Sequence, residues 1–384
     1  MNRKMQGAHR GRSGRNRMLG GLVLLVLCVM PNAGFTQSTP SAIAYSRPDW
    51  FAGPDANQLW LINSDGTNNH RLSPVILLGG IPAGTASLGR PAWSRDRRQI
   101  AADAILAGGD PVLSGALGTS TNVLVVFNPA TGQGNAVFNT NTGTGPVALD
   151  WFYKSFSPDG KRLAYGSNQL DYTEYGMINT DGTGRIFLGF RDLTSEAFGM
   201  GIDWSPRTDQ WGNYGKLLVV SDSYTISSDP SCAGAPRTFA RLKFVAAVYD
   251  GMDVASRGLT MPPQVPCNLY TLSYSTTNDL YPAFSPDGMR IGFVRTTIDS
   301  SGTVLNSTIM TISLLDGSKR TVLYLPGERV DNLSWSPDGS RLMFDRTQMI
   351  GFYPNPLGVW TTTSVGGGLD TLFLNPPAFA AAWQ

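Results

Sequence analysis

Two histidines, three cysteines and 28 carboxylates are the reactive groups of this 384-residue chain. His9 lies in a basic leader, which leaves His70 as the one histidine a Ser-His-Asp or Cys-His arrangement could use, and no G-x-S-x-G elbow accompanies it. His70 follows a turn and is expected on a solvent-facing loop. So few His and Cys exclude clusters of transition-metal ligands. The pairs Asp65-Gly66 and Asp181-Gly182 invite a calcium reading, but the D-x-D-x-D series is missing and turn chemistry accounts for them. The same holds for Asp159, Asp287 and Asp338. The expectation is a protein without metal or cofactor. Carboxylate-only catalysis, as in glycosidases, stays open.

The residues left as candidates stand at one offset from a repeated motif. Residues 333–345 read L-S-W-S-P-D-G-S-R-L-M-F-D, a strand, a tight turn and a strand. Pro337 presets φ, Asp338 bonds backbone amides two residues on, and Gly339 takes the angle a side chain resists. Residues 154–165 and 282–293 repeat the unit. Residues 91–102 keep the aromatic and Asp but have Arg95 and Arg97 in place of Pro and Gly. Residues 202–220 carry a longer turn, and the chain ends on F-A-A-A-W-Q, the first half of a unit. The aromatics are Trp93, Phe156, Trp204, Phe284, Trp335 and Trp383, spaced by 63, 48, 80, 51 and 48 residues. A period near 45–50 residues with short strands is that of a β-propeller blade, and the two long spacings imply insertions.

A second motif falls between the first ones. Residues 59–67 (L-W-L-I-N-S-D-G-T), 175–183 (Y-G-M-I-N-T-D-G-T) and 309–317 (I-M-T-I-S-L-L-D-G) each run a strand into an Asp-Gly turn. Residues 123–132 and 359–367 are looser copies. The alternation of W-S-P-D-G-x-x-L-x-F with I-N-x-D-G resembles the TolB-type repeats of six-bladed propellers, over roughly residues 41–384. The resemblance implies an all-β, six-bladed β-propeller. TolB proper has an α/β domain before its propeller with no counterpart in this stretch, so TolB's transport role is not implied. Propeller lyases that use histidine and metal, and prolyl-oligopeptidase-type hydrolases, are disfavoured.

Residues 41–45, S-A-I-A-Y, resemble the strand after an S-P-D-G turn but have no aromatic strand before them. The missing strand sits in residues 379–383. The N-terminus then supplies three strands of one blade and the C-terminus its innermost, which closes the ring without an open edge.

Three positions before each aromatic stand Arg90, Tyr153, Gly201, Tyr281, Asn332 and Ala380. On a strand these point away from the aromatic's side. Arg90, Tyr153, Tyr281 and Asn332 are the candidate ligand-binding residues of the channel mouth, suited to a protein or glycan. The plainer alternative is that they only fill the channel.

Residues 1–34 read as an export signal, six basic residues followed by the apolar run 19–30, which is short for a membrane span. An uncleaved anchor is the alternative. Leu27 before Cys28 is not the small residue lipoprotein processing needs. Removing 6 basic residues from 30 basic and 28 acidic leaves 24 against 28, a net charge of −4. That offers no basic footprint for nucleic acid. Residues 35–384 are expected to form one domain, a periplasmic or secreted monomer. Blade insertions are expected at residues 104–121 and 221–266. Cys232 and Cys267, the remaining cysteines, are expected to pair in an oxidising compartment. The function this supports is non-enzymatic: binding of a protein or a cell-envelope component such as a glycan, through the channel mouth and loops. The alternative is a carbohydrate-active enzyme, a carboxylate-based glycoside hydrolase or lyase.

Overall fold

In a computed structural model, the described residues are 41–48, 57–78, 81–107, 121–139, 152–168, 172–192, 201–207, 217–246, 256–267, 275–350 and 353–383. The leader reading at residues 1–34 and much of the insertion expected at 104–121 lie outside them. Residues 104–107 are strand rather than loop.

Strands β1 (Ala42–Pro48), β2 (Asn57–Asn63) and β3 (His70–Arg71) form the outer part of blade 1. Blade 2 holds β4 (Val75–Leu78), β5 (Ile81–Trp93), β6 (Ile100–Ala107), β7 (Thr121–Phe127) and β8 (Gln133–Asn139). Here β4 runs antiparallel to β5 and parallel to β8, so this sheet closes on itself. Blade 3 is β9 (Phe152–Phe156), β10 (Arg162–Asn168), β11 (Tyr172–Asn179) and β12 (Ile186–Asp192). Blade 4 is β13 (Ile202–Trp204), β14 (Leu217–Ile226), β15 (Arg237–Ala246) and β16 (Ser256–Gly258). Blade 5 is β17 (Thr276–Phe284), β18 (Arg290–Ile298), β19 (Val304–Ser313) and β20 (Lys319–Pro326). Blade 6 is β21 (Glu328–Trp335), β22 (Arg341–Ile350), β23 (Tyr353–Thr363) and β24 (Thr371–Leu374). The last strand, β25 (Phe379–Trp383), pairs antiparallel with β1 as the innermost strand of blade 1. The fold is therefore an all-β, six-bladed propeller closed by its C-terminal strand. His70 lies on the short outer strand β3 rather than in a loop, and it is exposed.

Among the described residues the hydrophobic core is six clusters, one between each pair of neighbouring blades. The period-2 alternation of a strand sends successive side chains to opposite clusters. On β7, Val123, Val125 and Phe127 pack toward blade 1, while Leu124 and Val126 pack toward blade 3. A blade buried on both faces thus needs an almost continuous apolar run, which V-L-V-V-F supplies. The sixth cluster joins Met343 and Val359 of blade 6 to Ile43 and Tyr45 of blade 1 and closes the ring.

The inner turns share one network. Ser157 Oγ donates to Asp159 at 2.6 Å and accepts the Arg162 amide at 2.9 Å. Ser285 and Asp287, Ser336 and Asp338, and Ser94 and Asp96 repeat it. The outer turns use Asp65 and Asp181, each accepting the amide and hydroxyl of the Thr two residues on. Each of these carboxylates is engaged by its own turn.

In blade 4, Cys232 and Cys267 form the expected disulfide, with Cα atoms 5.0 Å apart across 35 residues. Arg237, 4% exposed, donates to both sulfurs at 2.9 and 2.8 Å and to the Val265 carbonyl at 2.9 Å. Its guanidinium also lies 3.3 Å from Asp229. One buried cation ties the disulfide to strand β15.

Candidate functional site: the central pocket

The inner strands β5, β9, β13, β17, β21 and β25 surround a pocket of about 400 Å³. Its lining runs along each strand from the position three before the aromatic toward the turn. Arg90, Tyr153, Gly201, Tyr281, Asn332 and Ala380 all line it. The sequence offset therefore brings the four candidates, from four different blades, into one cavity.

Strand alternation alone does not place them. Arg90, Tyr281, Asn332 and Ala380 have φ of 48°, 51°, 49° and 51°, and Gly201 has 119°. The strand pairing slips at this point between Gly89 and Ala92, Leu280 and Ala283, and Asp331 and Leu333. These are β-bulges, which turn a side chain out of the regular register. Left-handed backbone at a non-glycine residue costs energy. Its recurrence in five blades makes it part of the fold's inner wall. The glycine among them is required: a Cβ on Gly201 would stand 2.7 Å from the Pro282 ring.

The candidate side chains engage one another. The Arg90 guanidinium lies 5.4 Å from the centre of the Tyr153 ring, a cation–π contact. Tyr153 and Tyr281 meet with ring centroids 6.2 Å apart. The Tyr281 hydroxyl donates to Asp331 at 2.6 Å, and Arg329 donates to the same oxygen at 2.8 Å. Burial, reinforced by Asp331, drives the Tyr281 hydroxyl well above its usual pKa, so it stays a donor. The Asn332 amide is committed to Asp345. Tyr281 and Asn332 thus each hold a carboxylate of the protein while lining the pocket.

Two further charged groups that line the pocket, Lys154 and Asp203, and a third behind its lining, Asp345, were missed in the sequence. Lys154 forms a buried ion pair with Asp103 on β6, and burial lowers its pKa against the pull of Asp103. Asp203 accepts Ser155 Oγ at 2.6 Å, the Trp204 amide at 2.9 Å and the Phe284 amide at 2.6 Å. Burial raises its pKa against those bonds and the nearby Arg95. Asp345, 6% exposed, accepts the Ala380 amide, and burial pushes its carboxyl up to about 7. No repeat marks these residues; a lone charge inside an apolar strand was the available signal.

Among the described residues no group of three or more His, Cys, Asp or Glu could hold a metal ion. No helix among them is long and apolar enough to cross a membrane.

No protein-family model matches the chain, and no curated protein matches it in sequence. Solved structures do match. TolB from Acinetobacter baumannii superposes with a TM-score of 0.54 at 15% identity, over 89% of this chain and 66% of TolB. A chain of the nidogen–laminin complex gives a TM-score of 0.50 at 10% identity, over 89% of this chain and 98% of that one. An oligogalacturonate lyase in complex with manganese gives 0.46 at 11% identity, over 89% and 83%. The class is a TolB-like six-bladed β-propeller. At these identities the likeness concerns the fold, and this chain spans 66% of the length of that TolB.

Proposed function

We propose that this is an exported, non-enzymatic propeller that binds a protein or cell-envelope component at the mouth of its central pocket. Residues 1–34 would be its export signal and residues 35–384 its one domain, acting as a monomer. The observation that carries this reading is the pocket itself. Its walls are mostly Pro, Ala and aromatic side chains with a few polar groups among them, the make-up of a recognition cavity. A Cys232–Cys267 disulfide suits an oxidising compartment.

A photo-crosslinking residue at Pro337, on the pocket wall, is compared with one at His70, on the outer strand of blade 1. The expected result is one envelope partner captured from position 337 and not from 70. Equal capture at both positions, or none at either, overturns the reading.

One observation favours a carbohydrate-active enzyme instead. Asp331 lies directly opposite Asp345, and burial pushes the Asp345 carboxyl up to about 7, the range a general acid needs. Against it, the Asp345 oxygen Oδ2 is already bonded to Asn332 and Ala380. Turnover of an envelope glycan that disappears in Asp345→Asn is the result that reading requires.

A further inference from the structure

We infer that the central pocket receives an acidic peptide segment whose carboxylate is held at the mouth by the arginines of blade 2. This rests on the proposal that the mouth binds a protein ligand, and it adds what selects that ligand.

The starting point is the inner turn of blade 2, which keeps the length of its repeat and gains two arginines. In blades 3, 5 and 6 the turn reads Ser-Pro-Asp-Gly, with Gly160, Gly288 and Gly339 at φ of 68°, 64° and 70°. Blade 2 keeps the serine and aspartate and the same hydrogen bonds between them. Arg95 replaces the proline, and Arg97 replaces the glycine in the same left-handed conformation, φ 62°. A non-glycine residue is strained there, and the preset φ of proline is given up. Backbone strain of this kind persists where the side chain it carries has a use. Both arginines are exposed and both line the pocket, as Pro286 and Pro337 do at the proline corners of blades 5 and 6.

Arg95 is aimed inward. Its guanidinium donates to the Trp204 carbonyl at 3.2 Å, so a blade 2 side chain reaches past blade 3 to blade 4. Arg90 lies deeper on the same strand. The charged groups of the lining are Arg90, Arg95, Arg97 and Lys154 against Asp203. Asp103 neutralises Lys154, and the oxygens of Asp203 are turned to Ser155, Trp204 and Phe284. Arg90 is engaged by Tyr153, which leaves Arg95 and Arg97 as the guanidinium groups at the mouth; such groups bind carboxylates with charge-assisted, directional hydrogen bonds.

The rest of the lining separates peptide from sugar. A glycan needs partners for many hydroxyls. Here Asn332, Tyr281 and Ser155 are committed to Asp345, Asp331 and Asp203. What remains, apart from the buried Trp93 Nε1 and Ser334 Oγ, is an aliphatic and aromatic wall with cations at one side, which fits an apolar backbone stretch carrying an Asp or Glu.

The test is fluorescence-polarisation binding of the full chain to labelled hexapeptide pools. One pool fixes Glu or Asp at a central position, and the other fixes Gln or Asn. The acidic pool is expected to bind on the order of tenfold tighter or more, the value of a charge-assisted hydrogen bond. The double variant Arg95→Pro with Arg97→Gly restores the repeat's own turn. It should melt at or above the temperature of the parent and bind the acidic pool no better than the amide pool. Acidic and amide pools that bind alike overturn the inference while leaving mouth binding intact. Unchanged acidic binding in the double variant removes the arginines from it. Arginine-dependent binding of trigalacturonate without peptide binding replaces the peptide by an acidic glycan. Failure of every probe, together with no capture at position 337, overturns mouth binding as well.

Discussion

The carboxylate of Asp345 on β22 accepts the backbone N–H of Ala380 on β25 at 2.7 Å, so blade 6 grips the strand that completes blade 1. The same oxygen accepts the Asn332 side chain, while the other carboxylate oxygen is buried without a partner. One buried acid sits at the seam where the ring closes.

This position gives the protein a pH-dependent seam. Asp345 faces Asp331 and Arg90 as well as its two donors, and burial sets its carboxyl at about 7, against about 3.9 in the unfolded chain. A raised carboxyl means that the folded state holds the proton more tightly. Its contribution is therefore fully present below about pH 4 and is lost as pH rises toward 7. The loss is at most about 4 kcal/mol. Asp345→Asn keeps an oxygen acceptor and cannot ionise. The gap between variant and parent in urea midpoint should widen in the variant's favour from pH 5 to pH 7.5; a constant gap would remove Asp345 as the titrating group.

Deleting residues 379–384 should be far more costly than their number suggests. The deletion removes the strand paired with β1, the Asp345 contact and the Trp383 indole N–H donated to Ser41 at 3.1 Å. Trp383 is only partly buried, so Trp383→Ala alone should cost about 2–3 kcal/mol, below the range for a fully buried tryptophan. The melting temperature of the truncated protein is compared with that of a chain lacking residues 36–40. Equal melting of the two would mean that β25 does not close the ring.

The disulfide should be intact and stabilising. Denatured, unreduced protein without the leader should show no titratable thiol. Replacing both Cys232 and Cys267 by Ala should lower stability by about 2–4 kcal/mol, measured by urea unfolding, since the open form loses the restraint on a 35-residue loop. Because Arg237 packs on both sulfurs, Arg237→Met should lower it further even with the bond present.

Asp203 joins three blades: Ser155 of blade 3, its own neighbour Trp204 in blade 4, and Phe284 of blade 5. Asp203→Ala leaves the Phe284 amide without an acceptor and the Trp204 amide with Ser155 Oγ alone, and should cost about 3 kcal/mol. Asp203→Asn keeps one acceptor and should cost about 1–2 kcal/mol. Urea midpoints that rank the two variants the other way would mean that the aspartate does not act as this acceptor.

The sequence by itself determined everything that local chemistry decides. Ser-Pro-Asp-Gly and Asp-Gly set their turns within five residues, so the hairpins, their period, the six blades and the split first blade were all legible. So were Arg90, Tyr153, Tyr281 and Asn332 as a set facing one cavity, because a constant offset on equivalent strands repeats a constant direction. The pairing of Cys232 with Cys267 followed from there being no other partner. Only the tertiary structure decided what those side chains do there. The bulges at Arg90, Tyr281, Asn332 and Ala380 carry no glycine to announce them; the fit against neighbouring inner strands imposes them. Asp345 to Ala380, Asp203 to Phe284, and Arg95 to Trp204 join residues 35, 81 and 109 positions apart. Such pairs leave no periodic trace, because each exists once, and only the closed ring brings its two ends together.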